Sequence, residues 1–351
     1  MEEGTAGIRK HQQPRLLSVA AEAWLEMKKT SLAPKTIVIE RTNLRHLLSE
    51  LGRKLVCDID VHDISRYQQR RLAEGASPKT VNLEIGTLRA ILRLHGIWAR
   101  LQRDVRMLPT REEVGRAITV EEERALLEAC ATSRSRSLLP FVTLAIETGA
   151  RYGVIRTLQW RSIDFSKRCL QLGKDKTPSG TGRIIPLNSR AIATLTFWTT
   201  HFPERQPEHF VFPAERYGAG GDRFQPQAYH TDPTQPINSI KEAWESAKQR
   251  AGAILKGNPQ DKNAEPLSCR FHDLRHTTVS RMLDASVPIA KVAKIVGWSP
   301  TTMVRMAARY GHFALEELRS AVESISRVEI QKGSPVFSPV SDTIGGSERL
   351  N

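Results

Sequence analysis

Apolar residues recur at helical spacing through the first third of this chain. Val81, Ile85, Leu88 and Leu92 fall four, three and four apart, and Leu44, Leu47, Leu48 and Leu51 form a similar stripe. Each set lies on one face of a helix of period 3.6. Ala33-Pro34-Lys35-Thr36 precedes one stripe and Ser77-Pro78-Lys79-Thr80 the other. Proline suits the first helical turn, where its missing N–H costs nothing. The recurring "PKT" predicts repeated cap chemistry, and residues 16–105 read as a small domain of about four helices. Residues 1–15 read as a flexible arm.

Periodicity lapses over 106–116, which reads as an interdomain linker. Thr119 followed by Glu122 predicts a capping box, with a helix through Leu127 beyond it. Phe141, Leu144, Ala145 and Thr148 predict another helix, stopped by Gly149. Ile163–Phe165, Cys169–Leu172 and Arg183–Leu187 are short strand candidates, with "TPSGTG" (177–182) as the turn between the last two. Residues 203–236, rich in Pro, Gly and Tyr, read as a long loop or insertion. Helices resume at 237–252 and run to about 326, with Ile289, Val292, Ala293 and Val296 on one face. Residues 327–351 read as a disordered tail. The whole is an α+β chain, mainly α with a small antiparallel sheet.

Composition adds a partner class. The chain's 351 residues carry 52 Lys and Arg against 38 Asp and Glu, a net charge of +14. Residues 1–110 hold 19 basic against 12 acidic side chains and the remainder 33 against 26, so the excess is spread over both parts. A globular chain positive in both halves suits a polyanion held from two sides, with simple solubility as the plainer alternative. Cys57, Cys130, Cys169 and Cys269 form no CxxC pair, which fits a reducing cytoplasm and no zinc ribbon. No apolar run reaches membrane-spanning length and MEEGTAGIRK has no signal-peptide pattern.

The densest titratable chemistry is "FHDLRHTT" (271–278). His272 and His276 stand i,i+4, the spacing of helical zinc ligands, but the second position is Asp273 where the HExxH motif needs Glu. Arg275 on the same face would repel a dication, and no third ligand has useful spacing. A phosphate site fits better. His272 and Arg275 are neighbours on one helix surface, pairing a proton carrier with a bidentate donor, and Asp273 suits a cap or orienting partner. Alone, HxxR is common and usually surface.

It does not stand alone. "ETGARYGVIRTLQWRSIDF" (147–165), "GKDKTPSGTGRIIPL" (173–187), "FHDLRHTT", "VGWSP" (296–300) and "ARYGHF" (308–313) occur in this order. The set resembles the successive catalytic boxes of the tyrosine recombinases, the phage-integrase family, over roughly residues 16–326. The resemblance implies a helical, SAM-like core-binding domain at 16–105 and a catalytic domain at 117–326. It implies a site-specific recombinase that cuts and rejoins double-stranded DNA through a 3′-phosphotyrosine, without metal or high-energy cofactor. Tyr310 matches the nucleophile, Arg151 and Arg275 the phosphate-binding arginines, and His272 the proton-handling histidine. Trp298 holds the His-or-Trp position, where an indole N–H can meet the phosphate. Lys176 matches the hairpin lysine that protonates the leaving 5′ oxygen, with Lys174 as the alternative. Tyr67, Tyr152, Tyr217 and Tyr229 lack the nucleophile's context and read as packing or loop residues, and His276 reads as structural.

One position departs from the pattern. An acidic residue normally stands three after the first arginine, and here that residue is Val154. The resemblance further implies a clamp of two basic domains on duplex DNA and a homotetramer on two DNA sites. The stripe Phe313, Leu315, Leu318, Val322 and Ile325 either docks into a neighbour or covers its own core. A mobile-element setting and a cytoplasmic location follow, and residues 1–15 leave little room for a second DNA specificity. A topoisomerase and a catalytically silent DNA-binding protein are the competing classes.

Overall fold

The computed structural model describes residues 14–110, 115–173, 181–217 and 229–310. The chain divides into two compact units, Met1–Glu113 and Val114–Asn351.

The first unit is helical: α1 (Leu17–Lys29), α2 (Pro34–Leu51), α3 (Val61–Ala73), α4 (Pro78–Leu94) and a single turn, α5 (Trp98–Leu101). The apolar stripes form its core. Val81, Ile85, Leu88 and Leu92 are fully buried, as are Leu44, Leu47 and Leu51, each worth roughly 1.5–3 kcal/mol relative to exposure. The two "PKT" starts are only partly alike. Pro34 and Pro78 both sit in the first turn behind an extended residue, but Ser77 accepts from the Thr80 N–H at 3.2 Å while Ala33 makes no side-chain cap. Glu84 carries a carboxylate into this core. Glu84 receives the Tyr67 hydroxyl at 2.8 Å and the Arg71 guanidinium at 2.8 and 3.0 Å.

The second unit builds on α7 (Leu138–Thr148), whose Leu138, Phe141, Val142, Leu144 and Ala145 are buried. Around it lie α6 (Val120–Ala131), α9 (Ser189–Thr199) and α11 (Asp273–Asp284), with α10 (Lys241–Leu255) against α6. The capping box forms: Thr119 Oγ1 accepts from the Glu122 N–H at 3.2 Å, and the Glu122 carboxylate from the Thr119 N–H at 2.9 Å. A five-residue helix, α8 (Tyr152–Arg156), leads to an antiparallel sheet of β1 (Ile163–Asp164), β2 (Cys169–Gln171) and β3 (Ile184–Pro186), in that order. After α11 come α12 (Ile289–Val296) and α13 (Pro300–Tyr310). Val292, Ala293 and Val296 are buried, whereas Ile289 is half-buried.

The expectation of a plain loop over 203–236 is corrected. It contains a second antiparallel pair, β4 (Pro213–Tyr217) with β5 (Tyr229–Pro236). Neither strand alternates apolar with polar residues, and proline argues against pairing. Here Pro213 faces Pro236 at the end of the ladder, and a register shift between Pro213 and Ala214 takes residues 233–235 out of it. The Pro233 carbonyl then accepts from the Phe210 N–H at 2.9 Å. Among the described residues no helix is long and apolar enough to cross a membrane. The candidate turn at 177–180, and helix beyond Tyr310, lie outside the described residues.

Candidate active site

Three segments far apart in sequence meet at the start of α11. The first is the end of α7. Gly149 closes that helix at φ 59°, a left-handed conformation that glycine adopts without Cβ strain. A Cβ there would also crowd Thr278, 3.3 Å away. The chain turns at once, and Arg151 becomes the extended residue that starts α8. The second segment is the end of α12. Gly297 (φ 70°) stops it, and the Gly297 and Trp298 N–H groups both return to the Ala293 carbonyl.

Arg275, on α11, joins these two ends. Its guanidinium donates to the Gly149 carbonyl at 2.7 Å and the Val296 carbonyl at 2.6 Å, and the residue is only 5% exposed. The last carbonyls of a helix lack intrahelical partners and carry the negative end of its dipole. Two such ends therefore place partial negative charge against the cation. Val154 is 6% exposed and belongs to the main apolar core. Its outer side helps line an open cleft of about 600 Å³ with Thr157, Gln159, Arg161, Gln171 and Thr181. Where the family pattern has an acid, this chain has a packing residue.

His272 immediately precedes α11 and has an exposed face. Its pKa is nevertheless lowered to about 4, first by the protein that surrounds the rest of the ring and then by the positive fields of His276, Arg275 and Arg151; Asp273 opposes them weakly. At neutral pH the imidazole is uncharged and able to accept a proton. His276 packs edge-on against it, ring centroids 5.3 Å apart. Asp273 serves the preceding turn: its carboxylate accepts from the Arg270 backbone N–H at 2.8 Å and the Arg270 guanidinium at 3.0 Å. Burial works to raise its pKa, but the bonds from Arg270 outweigh it and the net shift is downward.

Trp298 is half-buried against the small cluster of Val279, Val292 and Val296. Ser299 Oγ then accepts from the Thr302 N–H at 3.2 Å and Pro300 opens α13, repeating the Ser77-Pro78 start. Tyr310 is the last residue of α13, described there by its backbone alone. Lys174 and Lys176 lie outside the described residues. Tyr67 and Tyr152 are packing residues: Tyr67 is buried on Glu84, and Tyr152 packs tilted against Phe141 and edge-on against Phe271 while its hydroxyl accepts from the Ile240 N–H at 3.3 Å.

The sequence reading missed several supports. Thr277 accepts from the Ile118 N–H at 3.0 Å, and Thr278 donates to the Ile146 carbonyl at 2.6 Å, so the "TT" of the motif ties α11 to its neighbours. Arg116 holds the Ser268 carbonyl at 2.7 Å and pairs with Glu122. Beside it, Gly115 passes so close to His276 and Asp273 that a Cβ would overlap the imidazole. The only sequence signal for this contact is a glycine where the linker ends.

Comparison with known proteins gives a consistent result. The profile of the phage integrase family matches residues 116–316, and that of the phage integrase N-terminal domain residues 13–97. The integrase of Salmonella phage P22 is 26% identical over 212 residues, which are 59% of this chain and 46% of the phage protein, so the match spans under half of that relative. Two solved structures share the fold. The Tn1549 transposon integrase in complex with transposon right-end DNA aligns with 89% of this chain and 99% of its own, at a TM-score of 0.64 and 17% identity. A lambda integrase tetramer bound to a Holliday junction aligns with 85% of this chain and 82% of its own, at 0.59 and 16%.

Proposed function

This chain belongs to the phage integrase family, and from that membership we propose that it is a tyrosine-type site-specific DNA recombinase acting through a 3′-phosphotyrosine. The observation that carries the reading is the grouping at the start of α11. Arg275 is seated on two helix ends, with His272 uncharged beside it and within the field of Arg151.

In this reading the Tyr310 hydroxyl attacks a backbone phosphorus and passes its proton to His272. The Tyr310 O–P bond forms and the P–O5′ bond breaks. The departing 5′ oxygen takes a proton from Lys176 or Lys174 and leaves as a 5′-OH. Negative charge grows on the non-bridging oxygens during attack, and the fixed charges of Arg151 and Arg275 stabilise it; removing one such group typically costs about 2.7–4 kcal/mol. A 5′-OH from the partner duplex then attacks the phosphotyrosine, releases Tyr310 and restores a phosphodiester. One bond of this type replaces another, so the exchange needs no external energy source.

Exchange of both strand pairs between two duplexes calls for four nucleophiles, hence a homotetramer on two DNA sites. The lambda integrase that shares this fold was captured as a tetramer on a Holliday junction. Both units carry excess positive charge, which suits contact with the same duplex from each. The test is recombination between two copies of the DNA flanking the gene, in buffer with a chelator and no nucleotide. Recombinant joints from wild type, and none from Tyr310→Phe, are expected. Relaxation of supercoiled plasmid without joints on any paired sites would support a topoisomerase instead.

A further inference from the structure

Residues 115–118 lie as a strap along the start of α11, touching it on both sides of His272. Gly115 passes against the His276 imidazole and the Asp273 carboxylate with no room for a Cβ. The Arg116 guanidinium donates twice to the Ser268 carbonyl, from Nε at 3.0 Å and from Nη2 at 2.7 Å. The Ile118 N–H donates to Thr277 Oγ1 at 3.0 Å. Arg116 also meets both oxygens of the Glu122 carboxylate, at 2.6 and 2.8 Å, and its Nη1 donates to the Ala117 carbonyl at 3.3 Å. Glu122 Oε2 in turn accepts from the Thr119 N–H within the capping box of α6. One guanidinium therefore joins the cap of α6 to the turn that delivers His272. Within that turn Leu267 and Cys269 are buried, and the Asp273 carboxylate accepts from the Arg270 N–H at 2.8 Å. Ser268 between them is exposed, and Arg116 fastens its carbonyl.

We propose that Arg116 is a positioning residue for His272: by clamping the Ser268 carbonyl to the cap of α6, it holds residues 268–272 so that the imidazole stands where it takes the nucleophile's proton. The proposal rests on the recombinase reading above. Stability alone does not account for the arrangement. The Arg116 side chain is 41% exposed, and ion pairs open to water contribute little. What the guanidinium supplies is direction, because its planar fork serves a carboxylate along one edge and a carbonyl along the next. It acts by contact, whereas the cations that bear on the His272 ring are His276, Arg275 and Arg151, with Asp273 opposing them. A displacement of about 1 Å at a reacting group can slow a reaction about 100-fold. Arg116→Lys keeps the charge but cannot hold both partners in that fixed geometry, so the fold should survive while the turn loosens.

The experiment compares full-length wild type, Arg116→Lys and Arg116→Gln by ring-proton NMR titration of His272 and by cleavage of a nicked duplex from the gene's flanks. Cleavage is measured with His272 present and in a His272→Ala background, with melting temperature and duplex binding alongside. Near-wild-type melting and binding are expected for both variants. The His272 midpoint should rise from about 4 towards 6.5 in each, as the ring leaves the protein and the cations that depress it. Cleavage should slow about 100-fold with His272 present. In the His272→Ala background Arg116→Lys should slow it by less than about twofold, because the group it positions is gone. An unshifted midpoint in both variants, or a cleavage loss equally large in both backgrounds, would overturn the positioning role. A shift in Arg116→Gln alone would assign the effect to charge and overturn it too. Absence of cleavage by wild type would instead overturn the recombinase reading and the role in cleavage with it, while the titration decides the placement of His272 separately.

Discussion

The Arg275 guanidinium donates to the Gly149 carbonyl at 2.7 Å, joining residues 126 positions apart. Gly149 ends α7 two residues before Arg151, and Arg275 follows His272 by three. One hydrogen bond thus links the segments that carry Arg151, His272 and Arg275. The Val296 carbonyl, on Arg275's other side, brings in the turn that carries Trp298.

Arg275→Lys should expose this dependence. An ammonium cannot span two carbonyls with the fixed fork of a guanidinium. Loss of a transition-state donor predicts cleavage about 100- to 1,000-fold slower, with duplex binding changed little. Arg275→Met should in addition destabilise the second unit, by about 1–3 kcal/mol for each buried carbonyl left unsatisfied. Nicked-substrate cleavage and urea unfolding measure the two effects.

The His272 imidazole should titrate with a midpoint near 4, well below the ordinary 6.5. As pH falls, the unfolded chain takes up this proton first. The contribution of His272 to stability is therefore present above about 6.5 and lost as pH drops towards 4. His272→Ala should flatten that part of the stability–pH curve. Ring-proton NMR gives the midpoint directly, and a bound duplex should move it upward, because a phosphate opposes the neighbouring cations. The kcat/KM of cleavage, which reports the free protein, should not decline between pH 7 and 6, as it would for a base titrating at 6.5.

Gly115→Ala should slow cleavage and leave duplex binding intact. The added methyl overlaps the His276 ring, and His276 packs against His272. Arg116, pinned to Ser268 and Glu122, prevents the backbone from moving aside. Wild-type cleavage by Gly115→Ala would show that the His276 contact is mechanically irrelevant.

In the first unit, Glu84→Gln should cost about 3 kcal/mol, because Arg71 would lose its buried carboxylate partner and keep only the exposed Glu74. Burial tends to raise the Glu84 pKa, but the bonds from Arg71 and Tyr67 outweigh it and hold it below the ordinary carboxylate value. The stabilisation is therefore present above the unfolded-state value near 4.3 and lost as pH falls through the lowered folded value. Urea unfolding of wild type and variant at neutral and acid pH checks both the size and the sign.

Much of this molecule was legible in the sequence where side chains carry the signal. The stripe from Val81 to Leu92, the Thr119–Glu122 box and the stop at Gly149 each follow from local pattern. The ordered boxes pointed to Arg151, His272 and Arg275, and the fold places both arginines within electrostatic reach of His272. Illegible features depend on partners that have no side-chain signature. Arg275 and Arg116 bind carbonyls, and any residue supplies a carbonyl; only the fold decides that those of Gly149, Val296 and Ser268 point at them. Gly115 looks like ordinary linker until His276 is seen beside it. The β4–β5 pair was hidden by polar strands and by prolines at its irregular end.

The central claim is that Tyr310 carries the DNA covalently. Duplex spanning the gene's flanks, incubated with wild type and with Tyr310→Phe and then denatured in SDS, tests it most directly, with mass spectrometry locating the modified peptide. The account predicts an adduct from wild type alone, with a 3′-phosphonucleotide on Tyr310. An adduct that persists in Tyr310→Phe, or one mapped to another tyrosine, would contradict it.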